Sequence, residues 1–415
     1  MLQADFNKIP LRFVLAAVAA AVALQACRSV PEKTPPATGV PPVTAPAPVQ
    51  PSPPPLLQAQ PPLSGSHLRR VAWTDLPGWE QDDAAAAWDA FLASCTAIKS
   101  QPAWQPVCAD AQTIPRPDSA GARRFFESRF VPHQLLQADG STEGLATGYY
   151  EPLLRGSRTP TARHRYAVYA TPADLLTVDL PAFGIEAGDS HPRGRLDGKR
   201  VVPYFDRARI ESGAAPLRGR ELAWVDDPVE LFFLQVQGSG RIELDDGGVM
   251  RVGYADHNGH PYRSIGRLLI DRGELSPDRA SMQGIKAWAR RNPQKLREVL
   301  DHNPRYIFFR ELPAGTGGPL GALGVPLTAR RSIAADPRYV PLGAPVFLAT
   351  TWPLSDRPLN QLMMAQDTGS AVRSAVRADF FWGYGDAAGQ EAGRMKQSLR
   401  MWLLLPLDYP VRTSN

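Results

Sequence analysis

Hydrophobic and polar residues along this chain recur with two different periods, and each period predicts its own elements. Trp88, Phe91, Leu92 and Cys95 recur at helical spacing, which predicts a helix over 83–98. Asp82 or Asp83 is expected to cap its amino terminus, because aspartate is a preferred N-cap residue. The same pattern predicts further helices over 120–130, 281–290 and 293–300.

From about residue 148 the pattern changes to short apolar runs separated by glycine and proline, which is typical of strands. The apolar run 362–365 predicts a buried strand that ends at Asp367, in a turn expected to need the conformational freedom of Gly369. Aspartate and glycine at 245–248 predict a β-hairpin turn. Strands are predicted over 166–169, 230–237, 241–243 and 249–254, and the chain is expected to be β-rich from 303 to 405. The predicted fold class is α+β, mainly β with helices.

The amino-terminal segment has the pattern of an export signal. Lys8 and Arg12 precede an apolar run over 13–24, which at about 12 residues is too short to span a bilayer of roughly 30 Å. Leu24-Gln25-Ala26-Cys27 resembles a bacterial lipobox, which implies that 1–26 is a signal peptide and that Cys27 is lipidated. An ordinary cleaved signal with an incidental cysteine is the alternative. Because Arg28 follows instead of aspartate, the lipoprotein interpretation implies the periplasmic face of the outer membrane.

Residues 27–66 are predicted to form a tether. The segment 31–62 contains thirteen prolines among mostly alanine, valine, threonine and glutamine, a composition that favours extended polyproline geometry over a packed core. Such a tether would separate a folded domain from a membrane by several nanometres. A ligand for SH3-type domains is the rival interpretation, which an exported bacterial protein disfavours.

Composition narrows the function further. With 415 residues, of which 43% are hydrophobic and 21% charged, the chain can bury the cores of about two domains. A net charge of +5 does not imply nucleic-acid binding and is compatible with a carboxylate-rich glycopeptide. Cys95 and Cys108 have no third thiol to compete once Cys27 is lipidated, so we expect a disulfide in an oxidising compartment. The scattered histidines predict no metal site, and no cofactor is expected.

Asp379 is the strongest candidate for chemistry. Three aromatic residues follow it at 380–382, and packing of these rings would shield the carboxyl and raise its pKa, with Asp367 raising it further if nearby. A carboxylic acid that stays protonated near neutral pH can protonate the leaving oxygen of a glycosidic bond. The alternative is a turn carboxylate that caps a helix beginning near Asp386 or pairs with Arg377.

A second group of residues is predicted to bind substrate. Gln235, Gln237, Ser239 and Gly240 alternate along the predicted strand and its Gly-Ser-Gly turn, and neutral amides suit sugar hydroxyl and acetamido groups. The alternative is the polar outer face of an ordinary hairpin. Three tyrosines could stack on sugar rings, an arginine could bind a carboxylate, and a glycine could shape the cleft floor. These candidates are Tyr149, Tyr150, Tyr262, Arg263 and Gly383.

Several motifs together resemble one family. D-x-G-x-A at 367–371, R-A-D-x-F-x-G-x-G at 377–385 and A-G-R-M-K at 392–396 look like the carboxyl-terminal 3D region of the membrane-bound lytic murein transglycosylase A family. Ser370 departs from the family, which usually shows a second glycine there. The remaining matching blocks are G-Y-Y-E-P at 148–152, F-L-Q-V-Q-G-S-G-R at 233–241, N-G-H-P-Y-R-S-I-G at 258–266 and N-P-R-Y-I-F-F at 303–309.

The resemblance implies a fold and a reaction. Residues 67–147 and 301–415 are expected to form a double-psi β-barrel domain with amino-terminal helices, interrupted by an inserted β domain over 148–300. The implied reaction is non-hydrolytic cleavage of peptidoglycan between N-acetylmuramic acid and N-acetylglucosamine, which gives 1,6-anhydromuramoyl products with Asp379 as acid and base. Asp367 and Gly369 would support it. The implied partners are glycan strands, a membrane through Cys27 and wall-remodelling proteins, and we expect a monomer.

Two other function classes fit the same residues. A hydrolase acting on the same bond would need a second carboxylate to activate water, and Asp367, Glu151 or Asp256 are candidates. A non-catalytic wall-binding lipoprotein is the second alternative, because double-psi barrels of other families bind polysaccharide without cleaving it.

Overall fold

The computed structural model describes residues 63–185, 192–315, 317–369 and 371–412. The predicted signal peptide, the lipidation site Cys27 and most of the predicted tether lie outside the described residues. None of the described helices combines the length and the hydropathy that a membrane-spanning helix requires.

The helices occur in three groups along the chain. Over the described residues they are α1 (Trp88–Ile98), α2 (Gln105–Gln112), α3 (Ser119–Arg129), α4 (Arg207–Glu211), α5 (Pro228–Gln237), α6 (Ile265–Asp271), α7 (Met282–Arg291), α8 (Pro293–Asp301) and α9 (Gly385–Arg394). The predicted helices over 120–130, 281–290 and 293–300 correspond to α3, α7 and α8, each shifted by about one residue at its ends.

The strands fall into an amino-terminal and a carboxyl-terminal half of the chain. The first half contains β1 (Leu63–Ser64), β2 (Leu68–Arg70), β3 (Phe130–Leu135), β4 (Gly144–Glu151), β5 (Leu153–Ser157), β6 (Tyr166–Tyr169), β7 (Leu176–Thr177), β8 (Arg193–Asp197) and β9 (Arg200–Pro203). The second half contains β10 (Glu221–Val225), β11 (Ser239–Leu244), β12 (Val249–His257), β13 (Ile307–Leu312), β14 (Ser332–Ala335), β15 (Pro345–Thr351), β16 (Pro358–Asp367), β17 (Arg377–Tyr384), β18 (Lys396–Pro406) and β19 (Val411–Arg412).

Six strands close into a barrel. Their order is β15-β16-β14-β17-β4-β18, and β18 pairs again with β15, so the sheet has no free edge between them. The pairs β14–β16 and β17–β4 are parallel, and the other pairs are antiparallel. Strands β3 and β2 extend the sheet from β18. The fold is mixed α+β with the expected double-psi barrel.

The amino-terminal helices pack on this barrel in one apolar core. A turn of 3₁₀ helix at Ala84–Ala87 precedes α1, and neither expected aspartate caps it. Asp82 is buried instead, where its carboxylate accepts hydrogen bonds from Arg331 and from the backbone N–H of Leu362. The predicted disulfide between Cys95 of α1 and Cys108 of α2 is confirmed.

A second sheet follows the order β13-β12-β11-β5-β10-β6. Strands β11 and β12 form the predicted hairpin through the turn at 245–248, where Gly247 has φ of 84°. Helix α5 packs against this sheet through Leu231 and Leu234. Its opposite side packs on α6, α7 and α8 through another apolar cluster, and β7, β8 and β9 form a separate three-stranded sheet.

The predicted strand over 230–237 is wrong, because this segment is α5. Asp227 caps it by accepting from the backbone N–H groups of Val229 and Glu230, Pro228 occupies its first turn, and Gly238 ends it with φ of 81°. The helix lies between two apolar clusters and is buried on most sides. A helix buried in this way lacks the polar stripe that marks an amphipathic helix, so its short apolar run resembled a strand.

Sheet membership moves the expected domain edges. Strand β4 belongs to the barrel as far as Glu151, beyond the expected edge at 147, and β13 belongs to the inserted sheet although it follows 300. The predicted tether also ends earlier than residue 66, because Leu63 and Ser64 pair with Val411 and Arg412. Folded structure thus begins by residue 63.

Candidate active site

Strand register places the two candidate aspartates in one row across the barrel sheet. Ala334 of β14 pairs with Asp367 on one side and with Asp379 on the other. Across the sheet, Thr147 of β4 pairs with Asp379 on one side and with Lys396 of β18 on the other. Side chains in such a row share one face of the sheet. Two strand spacings put the Asp367 and Asp379 Cα atoms about 10 Å apart, with a small alanine side chain between them.

Asp379 is half-buried, and its described hydrogen bond comes from a hydroxyl group. Thr147 Oγ1 donates to Asp379 Oδ1 at 2.6 Å, and Arg377 Nη2 donates to Thr147 Oγ1 at 2.8 Å. Burial raises the pKa of Asp379, against the opposing effects of the Thr147 hydrogen bond and the Arg377 charge. Neither predicted alternative fits: Arg377 reaches the carboxylate through Thr147, and α9 has no side-chain cap.

Asp367 is held by several donors. Its Oδ1 accepts from the backbone N–H of Ala322 at 2.9 Å, and its Oδ2 accepts from the Tyr149 hydroxyl at 3.1 Å. Burial raises the pKa of Asp367 to about 6, and the charge of Asp379 adds to the rise, while the hydrogen bonds from Ala322, Thr368 and Tyr149 oppose it. Asp367 is therefore fixed in position and titrates within the physiological range.

Tyr149 lies on the face of the two carboxyl groups and binds one of them, Asp367. It lies two residues after Thr147 on β4, pairs with Phe381 in register, and its ring centroid is 5.2 Å from that of Phe381. Burial raises the pKa of Tyr149 well above its ordinary value, and the charges of Asp367 and Asp379 raise it further. The phenol therefore stays protonated and donates to Asp367. Its observed contacts are those of a residue that positions Asp367.

Among the described residues, Asp379 accepts a side-chain hydrogen bond at Oδ1 and none at Oδ2. Asp379 combines a raised pKa with one fixed oxygen, so the other oxygen can carry a transferable proton. Asp367 contributes negative charge on the same face and accepts at both of its oxygens.

Gly369, predicted to support the acid, and Gly383, predicted for the cleft floor, differ in their backbone. Gly369 does not adopt the left-handed region, so the turn after β16 does not require glycine for that reason. Gly383 has φ of 108°, and an added Cβ atom would come within 3.1 Å of the Ala329 Cβ atom. Gly383 interrupts the register between β17 and β4, where Phe381 and Tyr384 pair with Tyr149 and Glu151.

Gln235 and Tyr150 are not placed to bind sugar. Gln235 lies in α5, is 4% exposed and accepts from buried Arg207 at 2.5 Å. Tyr150 is also 4% exposed, its hydroxyl contacts Met282 Sδ, and its ring packs on α9 where Gly389 leaves room. Because both side chains are buried inside the protein, the prediction that they face a ligand is wrong.

Gln237, Ser239 and Gly240 lie where α5 passes into β11. Half-buried Gln237 accepts from the backbone N–H of Tyr150 at 3.2 Å, which joins α5 to the barrel strand β4. Gly240 does allow a close approach, but the approaching group is Leu234, whose Cδ1 atom lies 2.3 Å from an ideal Cβ position. Ser239 is half-buried in β11. The Gly-Ser-Gly segment therefore serves the packing of the insert.

Tyr262 and Arg263 are exposed between β12 and α6. Tyr262 is 47% exposed, and the backbone N–H of Arg263 donates to Asn303 Oδ1 at 3.1 Å. The asparagines of the two neighbouring motifs are structural: buried Asn258 donates to the carbonyls of Phe205 and Pro304. Both Tyr262 and Arg263 stay accessible to a ligand.

Thr147 is a part of the site that no sequence pattern predicted. Its hydroxyl bonds to a residue 232 positions away, and that contact depends on the parallel pairing of β4 with β17. The alternation Thr147, Tyr149, Glu151 along one strand would have predicted that Thr147 shares a face with Tyr149. No local pattern predicts which strand lies beside it.

Comparisons with known proteins agree with this architecture. The family model described as the MltA specific insert domain matches residues 145–310, and the 3D domain model matches residues 331–405. Membrane-bound lytic murein transglycosylase A of Escherichia coli strain K12 is 32% identical over 278 residues, which cover 65% of this chain and 68% of that protein.

Solved structures are similar as well. A crystal structure of MltA from Neisseria gonorrhoeae is 43% identical, with a TM-score of 0.75 over 84% of this chain and 96% of that one. A structure of E. coli MltA with bound chitohexaose is 25% identical, with a TM-score of 0.57 over 84% of this chain and 92% of that one. With its barrel, its insert and these relatives, the chain belongs to the membrane-bound lytic murein transglycosylase A family.

Proposed function

We propose that this chain is a lytic transglycosylase that cleaves the β-1,4 bond between N-acetylmuramic acid and N-acetylglucosamine in peptidoglycan. The E. coli relative is named a lytic murein transglycosylase, and an E. coli family member binds chitohexaose, a chain of amino sugars. The observation in this chain that carries the proposal is Asp379, a half-buried carboxyl with a raised pKa and one hydroxyl donor.

A single carboxyl suffices for the proposed reaction. Asp379 gives its proton to the glycosidic oxygen as the bond from C1 of the muramoyl sugar to that oxygen breaks. The C6 hydroxyl of the same sugar then attacks C1 and gives its proton to Asp379, which restores the acid and forms the 1,6-anhydro ring. An intramolecular nucleophile has a high effective molarity, so no second carboxylate is needed to position water.

Asp367 acts in this proposal as an electrostatic support. Its two oxygens are occupied by Ala322 and Tyr149, so it is poorly placed to accept a proton from water. Above pH about 6 it is ionised, and its negative charge on the same face favours the positive charge that develops on the sugar ring in the transition state.

The glycan strand is proposed to contact both parts of the molecule. Asp379 belongs to the barrel, whereas Tyr262 and Arg263 belong to the segment between β12 and α6 and are exposed. The Arg263 guanidinium suits a lactyl or peptide carboxylate, and the Tyr262 ring suits a sugar face. Arg263→Ala should raise KM for peptide-bearing strands more than for strands stripped of their peptides.

The rival hydrolase has few candidate bases. Glu151 is fully buried and paired with Arg241 at 2.8 Å, and Asp256 is paired with Arg193 at 2.8 Å. Asp367 is the remaining carboxylate on the face of Asp379. A non-catalytic wall-binding protein would be favoured by a wholly buried, Arg-paired Asp379, and the half-buried carboxyl with its hydroxyl donor does not match that description.

Mass spectrometry of the products decides between these functions. Purified sacculi digested with the enzyme should release muropeptides that end in 1,6-anhydro-N-acetylmuramic acid. Reducing-end N-acetylmuramic acid as the main product would show that the enzyme is a hydrolase and not a transglycosylase. No release by well-folded protein, together with binding to sacculi, would indicate a binding protein.

We also propose that the enzyme is anchored by lipid on Cys27 at the periplasmic face of the outer membrane, since its E. coli relative is named membrane-bound. Metabolic labelling with a radioactive fatty acid should mark the wild type and not Cys27→Ala, and the variant should be released in soluble, active form. Unlabelled wild type would refute the anchor.

A further inference from the structure

Arg377 and Thr147 form a two-step chain of hydrogen bonds that ends on Asp379. Arg377 Nη2 lies 2.8 Å from Thr147 Oγ1, and Thr147 Oγ1 lies 2.6 Å from Asp379 Oδ1. All three residues lie on one face of the barrel sheet. Thr147 of β4 pairs with Asp379 of β17 in register, and Arg377 lies two residues before Asp379 on β17.

The chemistry of these groups fixes the direction of both hydrogen bonds. A guanidinium group has only donors, so the Thr147 oxygen must accept from Arg377. A hydroxyl group has a single proton, so that proton must point to Asp379 Oδ1. In this arrangement Oδ1 is always an acceptor, whether Asp379 is charged or neutral.

We propose that Arg377 is a positioning residue that, through Thr147, confines the transferable proton of Asp379 to its Oδ2 atom. The proposal rests on the proposed role of Asp379 as acid and base. The same oxygen then gives the proton to the glycosidic oxygen and receives one from the C6 hydroxyl, so the carboxyl need not rotate between the two steps. Without Arg377 the Thr147 hydroxyl is free to turn and accept, and the proton can occupy either oxygen.

The surroundings of Arg377 support a positioning role. Its Nη1 atom donates to the carbonyl oxygens of Ala378 and Leu145, so its guanidinium is held against β4 and its own strand. These described bonds go to protein atoms on the two strands that carry Thr147 and Asp379. Arg377 is thus engaged as a fixed donor, and its contribution is expected in kcat and not in KM.

The charged environment of Asp379 gives the expected direction of a pH effect. Strand register places Asp367 of β16, Tyr149 of β4, Lys396 of β18 and Arg377 of its own strand on the face of Asp379, together with neutral Ala334 of β14. The Arg377 charge and the Thr147 hydrogen bond both lower the pKa of Asp379. Removing either should raise this pKa and move the high-pH limb of activity upward.

The test measures kcat and KM against pH on sacculi for Arg377→Met, Arg377→Lys, Thr147→Val and Thr147→Ser. Arg377→Met and Thr147→Val should each lower kcat about 10-fold, part of the 10²–10⁴-fold typical of general acid catalysis. Each should also move the high-pH limb up by about one pH unit, while Arg377→Lys and Thr147→Ser recover most of the loss. In Arg377→Met/Thr147→Val, kcat should be close to that of Thr147→Val alone, because the arginine acts through the hydroxyl.

Arg400→Met is the matched control. Arg400 is exposed on β18 of the same barrel sheet, and its loss changes the net charge equally without touching Thr147. Thermal unfolding identifies variants that fail to fold. If Arg377→Met does not fold, the near-isosteric Thr147→Val still tests the relay, which is the hydrogen-bond chain from Arg377 through Thr147 to Asp379.

Two results would overturn the relay: a wild-type pH profile and kcat in folded Thr147→Val, or fully multiplicative losses of kcat in the double variant. An active Asp379→Asn enzyme would overturn the role of Asp379 itself. An inactive Asp379→Asn enzyme with an unaltered Thr147→Val enzyme would remove only the relay.

Discussion

The barrel row and the inserted sheet both bring carboxylates close to arginines, but they do so in different ways. Asp256 of the inserted sheet is bound directly by Arg193, and Glu151, at the end of β4, is bound directly by Arg241 of the inserted sheet. Asp379 in the barrel is separated from Arg377 by the Thr147 hydroxyl, and no direct ion pair of Asp379 occurs among the described residues. A direct ion pair commits a carboxylate to structure, whereas a hydroxyl donor leaves one oxygen free for proton transfer.

The largest expected effect is that of Asp379→Asn. The variant keeps the shape of the side chain and an acceptor for Thr147 but has no proton to give, so kcat should fall by about 10²–10⁴-fold. Asp386→Asn is the matched control, because Asp386 is exposed in the first turn of α9 and the charge change is identical. Residual activity above about a tenth in Asp379→Asn would place the acid elsewhere.

Glu151→Gln tests the direct ion pair between Glu151 and Arg241. The Glu151 side chain is fully buried, and its replacement by glutamine removes the ion-pair partner of Arg241. This loss should lower the free energy of unfolding by roughly 3 kcal/mol. Activity of the folded enzyme should stay within a few-fold of wild type, measured by muropeptide release and urea unfolding. Loss of turnover with unchanged stability would indicate that Glu151 is a catalytic base despite its direct ion pair.

Asp367→Asn should change how stability depends on pH. The folded-state pKa of Asp367 is about 6, above the value of about 3.9 in unfolded chains. The folded state therefore binds this proton more tightly, and the resulting stabilisation is complete below pH 3.9 and lost as pH rises to 6. Relative to wild type, the variant should gain about 2 kcal/mol of stability between pH 4 and pH 7, as measured by urea unfolding at both values. An equal pH dependence in both proteins would contradict the raised pKa.

The smallest difference is expected between Gln235→Ala and Gln237→Ala, two changes in the same helix. Gln235→Ala removes an acceptor from buried Arg207 and should cost about 1–3 kcal/mol of stability, whereas Gln237→Ala removes one backbone hydrogen bond to β4 and should cost about 1 kcal/mol. We expect only Gln237→Ala to lower kcat/KM, because Gln237 joins the insert to the strand that carries Thr147 and Tyr149. Equal kcat/KM values for Gln235→Ala and Gln237→Ala would show that Gln237 has no role in the site.

Local sequence patterns predicted the elements whose causes are local. The helical spacing of Trp88 and Phe91, the hairpin glycines at 247–248 and the apolar run before Asp367 each correspond to an observed element. The disulfide followed from counting cysteines, and the candidate acid from a carboxylate followed by aromatic residues. The prediction failed for α5, because a helix buried between two apolar clusters has no polar stripe to reveal its period.

Sequence patterns alone indicated the class of fold, the family and a candidate acid, Asp379. Only the tertiary structure decided which carboxylates remain available. Ala334 lies between Asp367 and Asp379, and Thr147 lies beside Asp379, because β14, β16, β17 and β4 pair across long stretches of chain. Strand pairing depends on the packing of the whole barrel. Tertiary packing commits Gln235 and Glu151 to contacts with Arg207 and Arg241, and of the two Asp379 carboxylate oxygens only Oδ1 accepts a hydrogen bond among the described residues.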